Sequence, residues 1–388
     1  MKCLVCTIAC ATLLLTAGCA TAPSGSTPEP VALFDDSDFV PVAPVPTRDE
    51  IFALSDEMRR FLQRWAAPGS SQKGPQAALA AALYDGRQLQ LRYDSEYTRT
   101  AAQAFDARAG NCLSLVIMTA AFAHELGLQV RYASAVNFAS WDRHGDLFLH
   151  SGHVNLTLGR RAMLEGARDV NALTIDFLPP EQLTGLRTRE IGEARLVAMF
   201  LNNRAAEALT AGRLDVAYWH ARRAIEVDPD FAPAANTLGV TYLRSGHAAR
   251  AEAAFRRTLA LDADNPPALG NLAGALSAQG RDAEAAVLRT RLAAADPEPP
   301  YHWFELGRAA AVRGDWRAAR DFFAREVRRA AANAEFHHGL AVANWQLGER
   351  DAALRELALA VQFSENRGDR DRYAAKLAHL AEQGRPTP

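Results

Sequence analysis

The chain has 388 residues, of which 49% are hydrophobic and 23% charged, and its net charge is −2. That length admits two domains, and the balance of 43 basic against 45 acidic side chains offers no basic patch, so no nucleic-acid partner is expected. The five cysteines are Cys3, Cys6, Cys10, Cys19 and Cys112, and the first four cluster at the extreme N-terminus.

The chain opens with Lys2 and a short apolar run from Ile8 to Leu15, closed by Leu15-Thr16-Ala17-Gly18-Cys19. The run falls short of the roughly 20 apolar residues that a spanning helix needs, so residues 1–18 read as an export signal removed on maturation. Its ending resembles a bacterial lipoprotein box, with Thr16 in the place usually taken by Leu. The resemblance implies a lipid on Cys19 and membrane attachment through it. Ala20 after the cysteine implies the outer membrane, facing the periplasm. An ordinary secretory signal is the alternative. Residues 19–48 hold Pro23, Pro28, Pro30, Pro41, Pro44 and Pro46 among small and polar residues, the composition of a flexible tether. In an oxidising compartment Cys112 then has no internal disulfide partner, and it is either buried and inert or reactive.

Residues 49–195 form the first folded region. Ile51, Leu54, Met58 and Leu62 recur at helical spacing between Glu50 and Trp65, and the alanine-rich stretch Pro75–Tyr84 is also helical by pattern. Gln88–Tyr93 alternates as a strand. Leu113–Leu126 is a continuous apolar helix with Gly127 as its terminator and Asn111 as its N-cap, which puts Cys112 in the first turn. Unpaired N–H groups and the positive end of the helix dipole favour a thiolate there, and the same N–H groups can stabilise an oxyanion. Asn111 and Tyr97 are candidates for a further oxyanion donor. Asp146–His150, His153–Leu158 and Leu173–Phe177 read as short strands. Antiparallel pairing of the last two brings His153 close to Asp176.

A cysteine at a helix start, followed by a histidine and an aspartate on neighbouring strands, resembles the transglutaminase-like superfamily. The residues carrying the resemblance are Arg99-Thr100-Ala101 through Gly110-Asn111-Cys112, His153-Val154-Asn155 and Leu173-Thr174-Ile175-Asp176-Phe177. They cover roughly residues 93–180. The resemblance implies Cys112 as nucleophile, His153 as general base and acid, and Asp176 as the group orienting the histidine. It also implies an α+β, papain-like fold and cysteine peptidase, amidase or acyl-transfer chemistry, or an inactive scaffold. His150 competes with His153, and Asp169 with Asp176, while His144 reads as a solvent-exposed turn residue and His124 lies three turns along the cysteine's own helix. No His/Cys spacing suggests a metal site, and no cofactor is expected.

Residues 198–367 are ordered by a repeat. Gly212, Gly246, Gly280, Gly314 and Gly348 share one register, and Ala217, Ala251, Ala285, Ala319 and Ala353 follow them in the same register. The pattern resembles the tetratricopeptide repeat, a helix-turn-helix module in which the glycine ends the first helix and the alanine sits at the close helix crossing. Five units fit, at 198–231, 232–265, 266–299, 300–333 and 334–367, and residues 368–388 form a capping helix and tail through Tyr373, Leu377 and Leu380. Such solenoids bind proteins or peptides on a concave face. First-helix positions project Asn202, Asn236, Tyr301, Phe304, Arg308 and Trp345 there, with Tyr301, Phe304, Arg308 and Trp345 as the candidate partner-binding groove and inter-repeat packing as the alternative. The sequence thus supports two readings. In one, an envelope lipoprotein carries a Cys-His-Asp thiol site acting on amide bonds beside a repeat domain that binds a protein or peptide. In the other, the repeats of a non-catalytic scaffold recruit envelope proteins.

Overall fold

The computed structural model describes residues 33–65, 74–84, 89–137, 140–145, 147–159, 172–178 and 183–383. The export signal and Cys19 lie outside these residues. Within them no helix is long and apolar enough to cross a membrane.

The first domain is assembled from short, strongly capped elements. Thr47 and Glu50 form a reciprocal capping box around the single-turn helix α1 (Arg48–Ile51). The continuous helix expected over Glu50–Trp65 is broken after Ile51, and α2 (Asp56–Trp65) restarts where Ser55 Oγ accepts from the Met58 N–H at 3.3 Å. The hydroxyl offers the backbone a new N-terminus, and the apolar spacing alone hides that break. Helix α3 (Pro75–Tyr84) follows. The strand expected over Gln88–Tyr93 is reduced among the described residues to β1 (Arg92–Tyr93), which pairs in parallel with β2 (Ala109–Gly110) around the capped helix α4 (Ala101–Ala107).

Helix α5 (Cys112–Glu125) is the centre of this domain, and every residue from Cys112 to Ala123 is buried. A helix apolar on all sides must be covered on all sides. One cover is an antiparallel sheet in the order β7 (Leu173–Ile175), β6 (Val154–Gly159), β3 (Gln129–Ala135), β8 (Thr188–Ile191). Between β3 and β6 the chain projects a separate hairpin of β4 (Ser140–His144) and β5 (Leu147–Ser151).

Five helix pairs and a terminal helix complete the chain: α6 (Glu193–Thr210) with α7 (Leu214–Val227), α8 (Ala232–Arg244) with α9 (Ala248–Leu261), α10 (Pro266–Ala278) with α11 (Asp282–Ala295), α12 (His302–Val312) with α13 (Trp316–Arg329), α14 (Ala334–Gln346) with α15 (Arg350–Gln362), then α16 (Arg367–Gln383). The repeat glycines at 212, 246, 280, 314 and 348 have φ between +69° and +86°, a conformation that disfavours any side chain. All five register alanines are fully buried. The first helix starts five residues before the expected unit boundary, because Gly192 at the end of β8 caps it directly.

The two halves share one core. A single apolar cluster runs from Phe39 through α5 and the sheet to Ala285, and smaller clusters serve the last repeats. The expected tether over 19–48 needs correction at its C-terminal end, because residues 33–40 are docked on the first two repeats. Phe39 stacks on Tyr218 with ring centroids 4.1 Å apart. Asp36 Oδ1 accepts from Tyr218 Oη at 2.7 Å, Asp35 pairs with Arg250, and Trp219 Nε1 donates to the Val40 carbonyl at 2.9 Å. Proline content suggested a disordered linker, but Leu33, Phe34 and Phe39 supply apolar anchors and the aspartates meet Arg222 and Arg250.

Candidate functional site

The site begins at the start of α5. Gly110 precedes it where a β-carbon would lie 2.7 Å from Ser114 Cβ, so only glycine lets the chain enter the helix so tightly. Asn111 then caps the helix, its Oδ1 accepting from the Ser114 N–H at 2.9 Å and from Ser114 Oγ at 2.8 Å. Its Nδ2 donates to Thr98 Oγ1 at 2.9 Å. The Asn111 amide is therefore held in place by the helix cap at its oxygen and by Thr98 at its nitrogen. Tyr97 is half-exposed, with Arg99 over its ring. Position in the first helical turn leaves the backbone N–H groups of Cys112 and Leu113 outside the helix's own hydrogen-bond ladder.

Cys112 is 7% exposed, and its Sγ lies 3.9 Å from the carbonyl oxygen of Gly152. The next residue is His153, buried at the entry to β6. Strand register does the rest. Leu156 faces Ile175 across the β6–β7 pair, so the residues just outside it, Asn155 and Asp176, meet at one edge. His153 and Asn155 share a face because strand side chains alternate. His153 Nε2 lies 2.9 Å from Asp176 Oδ1 and 3.0 Å from Oδ2. Asn155 Nδ2 donates to Asp176 Oδ2 at 2.9 Å, the Leu178 N–H donates to Oδ1 at 2.9 Å, and Tyr84 Oη donates to the Asp176 carbonyl at 2.8 Å. The Cys112 thiol, whose sulfur faces the carbonyl of Gly152 just before His153, also acts on the imidazole.

These contacts set the charges. Burial alone would lower the His153 pKa, but hydrogen bonds to Asp176 and Cys112, with their negative charge, outweigh it and push the imidazole up to about 9. Burial pushes Asp176 the other way, yet the donors from His153, Leu178 and Asn155 hold its carboxyl below the usual range. An imidazolium between a carboxylate and a sulfur is a proton store at the thiol's side, the arrangement that nucleophilic thiol chemistry requires.

The structure thus brings Cys112, His153 and Asp176 together. His124 points elsewhere, 3.8 Å from Glu193. His144 and His150 sit in the β4–β5 hairpin, and Asp169 and Cys19 lie outside the described residues. Asn155 stands in the His153-Val154-Asn155 motif without a role assigned to it, and Tyr84 was not singled out by the sequence. The alternation placing Asn155 on the face of His153 was the available signal, whereas Tyr84 had none. Among the described residues no group of three or more His, Cys, Asp or Glu is arranged to hold a metal ion. A concavity of about 270 Å³ lies between Pro46, Glu193 and Arg223, and none of the three site residues lines it.

The residues expected to line a partner groove divide into two sets. Tyr301 and Phe304 are 2% and 5% exposed, packed on Phe336 and covered by the β4–β5 hairpin. Arg308 is exposed and bonds Glu305 at 3.3 Å, while Trp345 is partly buried under Arg350. Two of the four are therefore closed to any outside partner while the hairpin stays in place, a long-range contact that local pattern does not reveal.

A profile of the tetratricopeptide repeat family matches residues 242–304. No curated protein sequence matches the chain. Among solved structures, YrrB, described as a TPR protein with an unusual peptide-binding site, is 20% identical at a TM-score of 0.25, covering 48% of this chain and 92% of its own. PilF of Pseudomonas aeruginosa is 21% identical at 0.29, covering 49% and 87%. A thermophilic TPR protein of Thermus thermophilus is 20% identical at 0.30, covering 47% and 99%. The second half of this chain carries tetratricopeptide repeats.

Proposed function

We propose that this protein is an interaction module of the cell envelope whose tetratricopeptide repeats hold a protein or peptide partner. The run of helix pairs carries this reading, because such arrays present extended surfaces that single domains do not. The lipoprotein-like ending at Cys19 supports an outer-membrane location facing the periplasm. A Cys19→Ala protein recovered in the soluble periplasmic fraction would support the lipid anchor, and one still sedimenting with membranes would overturn it. Crosslinking in cells, followed by mass spectrometry, tests the scaffold itself. One protein should crosslink reproducibly to the repeats of the full chain, and an absence of crosslinks above background would remove the reading.

A second reading is favoured by one observation, the pairing of His153 with Asp176 directly after the Gly152 carbonyl that faces the Cys112 sulfur. Together with the resemblance to the transglutaminase-like superfamily, it supports a thiol site for amide chemistry in the first domain. In this chemistry the Cys112 sulfur, as a thiolate paired with the His153 imidazolium, attacks an amide carbonyl carbon. The oxyanion gathers N–H donors from the first turn of α5, and as the C–N bond breaks the amine leaves with a proton from His153. Water or a second amine then displaces sulfur from the thioester, giving hydrolysis or transfer. Iodoacetamide should alkylate Cys112 faster than free cysteine at pH 7, and Asp176→Asn should slow it. A rate no faster than that of free cysteine, with Asp176→Asn unchanged, would leave the scaffold reading alone.

A further inference from the structure

The covered part of the repeat face is built like a recognition pocket. Arg143, near the tip of the β4–β5 hairpin, enters it. One guanidinium nitrogen, Nη1, donates to Glu305 and the other, Nη2, donates to Glu335 at 2.5 Å, so two successive repeats each contribute one carboxylate. The guanidinium carbon Cζ lies 5.1 Å from the Tyr301 ring centroid and 5.7 Å from that of Phe304. Two residues before Arg143, the Trp141 carbonyl accepts from Asn333 Nδ2 at 3.2 Å and from Tyr301 Oη at 3.4 Å. Trp141 packs on the apolar cluster of the last repeats, and Phe148 packs on Tyr301 at 5.5 Å. Tyr301 holds this position with φ +69°, a conformation costly for an aromatic residue and retained where the surroundings impose it.

We propose that this pocket is the partner site of the repeat domain, that it takes a segment of the form aromatic-x-Arg, and that the chain's own hairpin is its competing occupant. A guanidinium fits better than an ammonium, because separate N–H groups reach separate carboxylates while the cation sits over aromatic rings. Glu305 also bonds Arg308, whereas Glu335 bonds Arg143 directly, so Glu335 is the carboxylate to alter in a test. The hairpin has a second contact that gives its displacement a consequence. It ends at Ser151, and the next residue, Gly152, sets its carbonyl against the Cys112 sulfur directly before His153. A partner that takes the place of Arg143 frees the segment covering the thiol. This last step rests on the thiol reading given above, whereas the pocket does not.

The test uses the full-length protein and a fluorescein-labelled peptide with the sequence of residues 140–151. Arg143→Ala vacates the pocket. This variant should bind the peptide by anisotropy at least about tenfold more tightly than wild type, where the tethered hairpin competes at high effective concentration. Replacing the peptide's arginine by lysine, or adding Glu335→Gln to the protein, should each cost about tenfold or more. Circular dichroism melts of Arg143→Ala and Arg143→Lys show whether the fold is intact. A folded Arg143→Ala protein that ignores the peptide, or binds the arginine and lysine peptides equally, overturns the site. For the coupling, Arg143→Ala should raise the iodoacetamide alkylation rate of Cys112 at least about tenfold, and an unchanged rate overturns it. Peptide binding measured in an Arg143→Ala, Cys112→Ala protein reads the pocket with no thiol present, so failure of the amide chemistry is distinguishable from failure of the pocket.

Discussion

Replacing Asp176 by asparagine leaves the shape of the site nearly unchanged and removes one charge, which makes it the most direct probe of the His153 pair. In the folded protein His153 is pushed up to about 9 from its ordinary 6.5, against the opposing effect of burial, by Asp176 and Cys112. Between those two values the folded chain keeps a proton that the unfolded chain releases. A raised pKa stabilises the fold fully below about pH 6.5, and that contribution disappears as pH climbs through about 9. Each pH unit corresponds to about 1.4 kcal/mol, so the loss across the window is on the order of 3 kcal/mol. The ring is 1% exposed, so water screens little of it. Asp176 has its own pKa held low, and its contribution disappears only in acid, well outside this window. Urea unfolding followed by circular dichroism, from pH 6 to 9.5 with the m value checked for constancy, measures the effect. The wild type should lose stability steeply between the two pKa values, and Asp176→Asn should show a much flatter curve. Parallel curves for the two proteins would refute the charge pairing inferred from the geometry.

Other perturbations have equally definite expectations. Phe39→Ala removes the ring stacked on Tyr218 and should cost about 3 kcal/mol in urea unfolding. It should also open residues 33–40 to limited proteolysis, and unchanged protection would contradict the docking. Gly239→Ala places a methyl 2.4 Å from the buried Phe255 ring and should destabilise the second repeat by about 1–3 kcal/mol, seen as a lower denaturation midpoint. Burial, with Lys376 and Arg372 nearby, lowers His338 to about 4, so it is neutral in the folded protein at pH 7. A depressed histidine pKa stabilises the fold above about pH 6.5 and loses that contribution as pH falls toward 4. His338→Gln should therefore flatten the acid side of a thermal-melt series, and an unaltered acid limb would count against it.

Sequence legibility followed the range of the interaction. The repeat glycines and alanines recur because each unit solves the same local problem, a left-handed helix end followed by a close crossing, and that problem leaves its mark at a fixed spacing. The start of α5 was readable for the same reason, since Asn111 and Gly127 bracket an unbroken apolar run. The meeting of His153 with Asp176 follows from two alternating strands that lie close in sequence. Contacts between residues far apart along the chain left no such mark. Arg143 and Trp141 carry nothing local to indicate that Glu335 and Asn333 await them, so the sequence left Tyr301 and Phe304 open between a partner groove and inter-repeat packing. Residues 33–40 were masked by the prolines around them, although Phe39 needed only an aromatic partner that the first repeat supplies.

The loop between β1 and α4 has a reach beyond its size. Its Ser95 N–H donates to the carbonyl of Glu365, at the end of the last repeat, at 3.1 Å. Its Thr98 N–H donates to Glu207 in the first repeat at 2.6 Å, and Thr98 Oγ1 accepts from Asn203 at 3.2 Å and from Asn111 at 2.9 Å. Both ends of the solenoid are therefore buckled to one short strap, and the same strap holds the cap of the cysteine's helix. A free solenoid flexes like a spring, each unit answering only to its neighbours. Here the first and last units answer also to one strap, and that strap is bonded to the Asn111 cap.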